Sequence, residues 1–166
     1  FYSYNGEALD QKAPLLRSMQ VISDSSIKLL RLFGNTSASR VAPSVGAEQE
    51  YFLVDEETLL KRKDLIYADR TLFGAAAPKG QELDDHYFGT IRQRVAGFMK
   101  DVNEELWKAG VTSKTQHNEV APAQHEIAPI YANANVAVDQ NQVVMQTLKR
   151  IACRHDMKSL LHEKPF

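Results

Sequence analysis

The sequence predicts an α+β fold in which long helices alternate with antiparallel strands. Three observations carry this. Apolar residues recur at helical spacing over 14–33, 87–107 and 139–152, the signature of helices with one buried face. Aromatic and β-branched residues follow Glu50 to residue 55 as in a half-buried strand, and the more polar 111–131 reads as further extended pieces. Pro122 and Pro129 exclude a helix from the second of these stretches.

Each element has local support. Residues 1–13 are polar and turn-rich, with Asn5-Gly6 as a turn. Pro14 suits a first helical turn and Gly34-Asn35 a stop, giving an amphipathic helix over 14–33. A Ser-, Asn- and Pro-rich loop follows to residue 43. Within Ser44–Asp55 the aromatic and β-branched run after Glu50 is read as a strand, on which Glu48 and Glu50 share one face because alternate residues point the same way. Residues 56–83 alternate charge runs with Gly and Pro. Lys61-Arg62-Lys63 reads as a solvated patch and Gly74–Gly80 as a loop. Asp84-Asp85 is expected to open a helix whose core face includes Tyr87, Phe88, Phe98, Val102 and Leu106, with Gly110 ending it. Val111–Gln116 enters two extended pieces joined near Pro122–Gln124. Asp139 is the expected N-cap of the last helix, His155-Asp156 its close, and Ser159–Phe166 a final strand.

Composition excludes several functions. With 43% hydrophobic and 25% charged residues, the 166 residues suit one domain or part of one. The formal net charge is -1 and no basic tract stands out, so neither nucleic acid nor an anionic membrane is an expected partner. No apolar run approaches membrane-spanning length. Cys153 has no second cysteine to pair with, which fits a reducing cytoplasm, and its neighbours Ile151 and Ala152 predict a buried small hydrophobe. The chain opens at Phe1 without Met and stops at Pro165-Phe166, so a piece of a longer protein is expected.

The chemistry concentrates in His117-Asn118-Glu119-Val120-Ala121-Pro122-Ala123-Gln124-His125-Glu126. Glu119 and Glu126 lie among apolar neighbours, and a cation is one of the few partners that makes a buried carboxylate tolerable. Glu48 and Glu50 form a second pair, and like charges side by side need something positive between them. A polar hairpin with solvated acids is the equal alternative on these residues alone. If the four acids converge, an oxygen-only set favours Mg²⁺ or Mn²⁺ over zinc, an arrangement suited to phosphate chemistry.

These residues resemble the glutamine synthetase family. Gly46-Ala47-Glu48-Gln49-Glu50-Tyr51-Phe52 is similar to its Glu-x-Glu strand, His117–Glu126 to its second metal-binding segment, and His162-Glu163-Lys164-Pro165-Phe166 to the Lys-Pro element before its asparagine loop. Arg31-Leu32-Phe33-Gly34 and Leu72-Phe73-Gly74 point to the large bacterial type III enzymes. The resemblance implies part of a curved antiparallel-sheet catalytic domain over residues 1–166, flanked by long helices, without the β-grasp domain and the C-terminal half of the catalytic domain. It implies ligation of ammonia to glutamate through a γ-glutamyl phosphate, with ATP as co-substrate, in a cytoplasmic homo-oligomer of stacked rings, a dodecamer.

By the resemblance, Glu50, Glu119 and Glu126 hold one Mg²⁺ or Mn²⁺ and Glu48 a second. Glu119 and Tyr87 border the ammonium pocket, and Tyr131 lies near the nucleotide. His117 and His125 are expected in packing or outer-shell roles, and Lys164 in a structural or outer-shell one. The isolated 166 residues are expected to be inactive. A related carboxylate–amine ligase, such as a glutamate–cysteine ligase, and a non-enzymatic module with relic acids are the rival readings.

Overall fold

The computed structural model describes residues 1–74 and 79–165. Most of the Gly- and Ala-rich loop at 74–80 therefore lies outside the described residues, as does Phe166. In chain order the elements are α1 (Lys12–Leu32), β1 (Ser44–Val45), β2 (Gln49–Asp55), α2 (Glu56–Leu59), α3 (Lys63–Ala68), α4 (Gln93–Lys108), β3 (Ser113–Asn118), β4 (Gln124–Pro129), β5 (Ala132–Asn133), α5 (Ala134–Arg154) and β6 (Met157–Leu160), with a 3₁₀ turn at Glu82–Asp84. Helices and antiparallel strands thus mix as the sequence predicts. The chain forms two compact units, residues 1–46 with 131–139, and residues 47–130 with 140–166.

In the first unit, α1 buries Ala13, Met19, Ser23 and Ile27. The helix starts two residues ahead of Pro14 because an Asp10 carboxylate oxygen accepts the Ala13 N–H at 3.1 Å. Pro14 still falls in the first turn, where its missing N–H has no partner to lose. The stop is as predicted. Gly34 has φ +83, and the N–H groups of Asn35 and Gly34 donate to Leu30 and Arg31 at 3.0 Å, the paired bonds of a left-handed helix cap. The short strands β1 and β5 pair antiparallel, Ser44 opposite Asn133. The Asn133 side chain accepts the Asn135 N–H at 3.2 Å and starts α5 there. Asp139 is consequently not the N-cap. It lies inside the helix and takes the Lys12 ammonium at 2.7 Å.

The second unit is built on a four-stranded sheet in the order β3-β4-β2-β6, antiparallel throughout. One face carries the main core. Tyr51, Leu53 and Ile127 from the strands pack with Phe98, Val102 and Leu106 of α4 and with Val144, Leu148 and Ile151 of α5. These are the inward positions that the 3.6 period demands. Alternation sends Phe52 and Val54 to the other face, into a smaller cluster with Leu59, Leu65, Leu160 and Ala121. Arg94 fastens the back of this layer. Its guanidinium donates to the His155 carbonyl at 2.7 Å, the Asp156 carbonyl at 2.6 Å and Asp55 at 2.8 Å, tying α4 to the turn between α5 and β6.

Several local expectations give way to tertiary structure. The 56–83 stretch, left without elements by the sequence apart from the 74–80 loop, holds two short helices: Asp55 caps α2 by accepting the Glu57 N–H at 3.1 Å, and Arg62 forks onto Asp64 at 2.9 and 2.6 Å at the start of α3. The helix expected from Asp84-Asp85 begins only at Gln93, with no acid in its first turn. Tyr87 and Phe88 sit ahead of it in turns, and Phe88 is exposed. Cys153 is exposed rather than buried, because Ile151 and Ala152 take the inward positions and Cys153 is rotated about 100° past Ala152 and about 200° past Ile151. The last strand is Met157–Leu160, earlier than the expected Ser159–Phe166, because β6 pairs with β2 from Phe52 to Asp55.

His125 occupies the core face with Tyr51, their rings 5.7 Å apart, and burial holds its imidazole down to about 4. A base whose folded pKa lies below its unfolded value contributes stability that is complete above the unfolded value. That stability is lost as pH falls. The expected outcome is a drop of roughly 3 kcal/mol between pH 6.5 and 4, read from metal-free chemical denaturation, and a flatter profile for His125→Gln. In the same assay at neutral pH, Leu148→Ala should cost about 3 kcal/mol, as full-size cavities in cores do. Val143→Ala, 37% exposed on the same helix, should cost less than about 1 kcal/mol.

Candidate metal centre

Strand register assembles the acids. In the β2–β4 ladder Glu50 lies directly opposite Glu126, and in the β3–β4 ladder His117 lies opposite Glu126 from the other side. Directly opposed residues share a face. Three neighbouring strands therefore present His117, Glu126 and Glu50 in a row, on the side of the sheet away from the α4–α5 core. Glu119 joins them from the connection after β3. That connection is held by the Glu119 N–H on the Gln124 carbonyl at 2.8 Å and the Gln124 N–H on the Ala121 carbonyl at 3.1 Å. Ala123 adopts φ +58 within it.

His117 bridges the two acids of this segment. Its Nδ1 stands 3.4 Å from Glu119 Oε1 and its Nε2 3.4 Å from Glu126 Oε1. One ligand atom from each of the three lies within 4.8 Å of the others. His117, expected in an outer-shell role, thus stands inside the close group. Its sequence signal was available: it sits two residues before Glu119, at a strand end facing the same way. Glu48 and Glu50 lie outside that close group yet near enough to act on it. Glu126 is only 9% exposed. Its pKa is raised, first by burial, with His117 opposing and Glu48, Glu119 and Glu50 each adding to the rise. Four carboxylates so placed are mutually unfavourable until positive charge enters.

The remaining predicted residues divide. Glu48 immediately precedes β2 and is exposed. Tyr87 is 40% exposed, its ring 5.2 Å from the His117 ring. It is kept there by Asn118, whose amide donates to the Gly89 carbonyl at 3.0 Å. His125 faces the core, its Nδ1–H donating to Asn118 Oδ1 at 3.0 Å, and takes no part in the acid group. Tyr131 belongs to the first unit and is 71% exposed. Lys164 is exposed, its backbone N–H on His162 Nδ1 at 2.9 Å. Gln124, which the sequence reading passed over, donates its amide to Glu50 at 2.6 Å.

The donor set suits a hard divalent cation. It is dominated by carboxylate oxygen, with a single imidazole and no thiolate, which favours Mg²⁺ or Mn²⁺. Burial is the main cause of the raised Glu126 pKa, and a cation would offset the smaller part that Glu48, Glu119 and Glu50 add.

Comparison with known proteins gives this arrangement a family. Residues 28–166 match the glutamine synthetase catalytic domain. Over all 166 residues the chain is 54% identical to a glutamine synthetase of Butyrivibrio fibrisolvens, of which it covers 24%. It is 49% identical to the type-3 glutamine synthetase of Dictyostelium discoideum, of which it covers 23%. The chain therefore spans about a quarter of the curated relatives it matches. Among solved structures, ligand-free GmaS superposes with a TM-score of 0.55 at 20% identity, over 74% of this chain and 26% of that one, a likeness of fold. With its acids on the matched segments, the chain belongs to the glutamine synthetase family.

Proposed function

We propose that the whole protein is a cytoplasmic glutamate–ammonia ligase and that these 166 residues supply part of its catalytic domain. The observation that carries the reading is the pairing of Glu50 with Glu126, which brings the acids of two family segments onto one face beside Glu119. The reaction transfers the γ-phosphoryl group of ATP to the side-chain carboxylate of glutamate, releasing ADP. Ammonia then adds to the acyl carbon, phosphate leaves, and the nitrogen loses a proton. A bound Mg²⁺ or Mn²⁺ supplies charge neutralisation for phosphate oxygens.

The chain's own residues have distinct roles in this reading. Glu50, Glu119 and Glu126 hold one cation, with His117 beside them. Glu48 offers one ligand to a second. Glu119 and Tyr87 border the ammonium site, where a carboxylate attracts NH₄⁺ and takes up its proton. Tyr131 lies toward the nucleotide. The remaining contacts to ATP and glutamate come from parts of the relatives beyond the quarter that this chain matches, in an assembly of stacked rings, a dodecamer. The 166 residues alone are accordingly inactive.

Mn²⁺ titration followed by electron paramagnetic resonance tests the centre. Saturable binding is expected. It should weaken by more than about 100-fold in Glu119→Gln/Glu126→Gln, since loss of outer-shell partners alone costs about 10–100-fold. Absence of saturable binding in the unmutated protein overturns the reading. The pH dependence has a definite sign: Glu126 keeps its proton to a higher pH than an ordinary carboxylate, so Mn²⁺ affinity should decline as pH falls, starting above the usual carboxylate range. A substrate panel on the whole protein should show ATP-dependent coupling to ammonia and none to cysteine. Glutamine formation by the isolated 166 residues would contradict their assignment as an incomplete site.

A further inference from the structure

Glu50 differs from Glu126 in one respect that matters for a binding site: it is exposed, on a flexible side chain, at the second residue of its strand. Exposure leaves a Glu free among many rotamers, and ordering it has an entropic cost. The structure answers this with Gln124. Gln124 and Glu126 are two apart on β4, so they share the face on which Glu50 sits, and Gln124 is the diagonal neighbour of Glu50 across the ladder. Gln124 is itself buried. Its Nε2 donates to Glu50 Oε2 at 2.6 Å, a short charge-assisted bond. Its Oε1 accepts the Ala121 N–H at 3.1 Å.

These two bonds settle which way the amide points. A backbone N–H requires the oxygen and a carboxylate requires the NH₂, so the reversed amide would face a donor with a donor and an acceptor with an acceptor. The backbone of the same residue holds Glu119 and Ala121 in place. Gln124 therefore touches both carboxylate-bearing segments at once, by side chain to β2 and by main chain to the turn that carries Glu119.

We propose that Gln124 is a positioning residue of the metal centre. It pins one oxygen of Glu50, leaves the other for a cation, and fixes Glu50 relative to Glu119 and Glu126 before the cation arrives. Donation to Glu50 also offsets part of the repulsion between Glu50 and Glu126, which face each other directly. The inference rests on the proposed metal centre.

Two variants separate positioning from mere support of the turn. Gln124→Met keeps the length and removes both bonds. Gln124→Glu keeps an acceptor for the Ala121 N–H but replaces the donor to Glu50 with a like charge. Mn²⁺ dissociation constants of the whole protein, by electron paramagnetic resonance at neutral pH, should rise about 10–100-fold in Gln124→Met. They should rise at least as far in Gln124→Glu, although its turn is intact by denaturation midpoint. In a Glu50→Gln background, Gln124→Met should add little, because the two side chains act as one unit. If Gln124→Glu binds Mn²⁺ like the unmutated protein, or if the Gln124→Met effect is unchanged in the Glu50→Gln background, the assignment of Gln124 falls and the centre stands. If the unmutated protein binds no Mn²⁺, both fall together.

Discussion

The pairing of β2 with β4 is the constraint on which the rest depends. Antiparallel register sets Glu50 directly across from Glu126, a placement that costs free energy for two like charges. A sheet that accepts this cost must recover it from its other contacts or from a ligand. The rise in the Glu126 pKa comes first from its burial, and the charges of Glu48, Glu119 and Glu50 add to it. His117 supplies the partial relief that the protein can give by itself, standing 3.4 Å from each acid of its own segment.

The opposite face of the same sheet makes the register hard to escape. A slip of one residue in β2 would turn Tyr51 and Leu53 out of the core and drive Glu50 into it. Tyr51 lies against Phe98 at 5.8 Å in an edge-on arrangement and against His125, and Ile127, Val144 and Leu148 close the layer around them. The acid row is thus held by residues with no chemistry of their own. Arg94 adds a polar clamp at the far end, donating to the His155 and Asp156 carbonyls in the turn after α5. The division is plain in β2: Tyr51 and Leu53 specify the register, and Glu50 uses it.

Much of the local structure was legible in the sequence. Gly34-Asn35 ends α1 because only a residue tolerant of positive φ can make that cap, and the helical periods of Phe98–Leu106 and Val144–Ala152 marked the core faces directly. Misreadings arose where a local signal was outweighed by a distant partner. Asp84-Asp85 looked like a helix start, yet α4 begins only at Gln93, after turns in which the Gly89 carbonyl takes the amide of the distant Asn118. Asp139 looked like an N-cap, yet Asn133 takes that role and Lys12 claims Asp139. Cys153 looked buried from its neighbours' identity, whereas helical rotation decides its exposure.

By itself the sequence determined which side chains this protein has for binding a cation, and that Pro122 and Pro129 keep them on extended backbone. Its three polar segments in fixed order also carry the resemblance to the family that the match over residues 28–166 shows. Tertiary structure alone decided that Glu50 meets Glu126, that His117 stands between two acids while His125 turns to the core, and that Gln124 reaches Glu50. Those facts depend on strand register and side-chain direction. Both are set by how apolar residues on the hidden face pack together, and pairwise packing across dozens of residues leaves no mark in any local run of sequence.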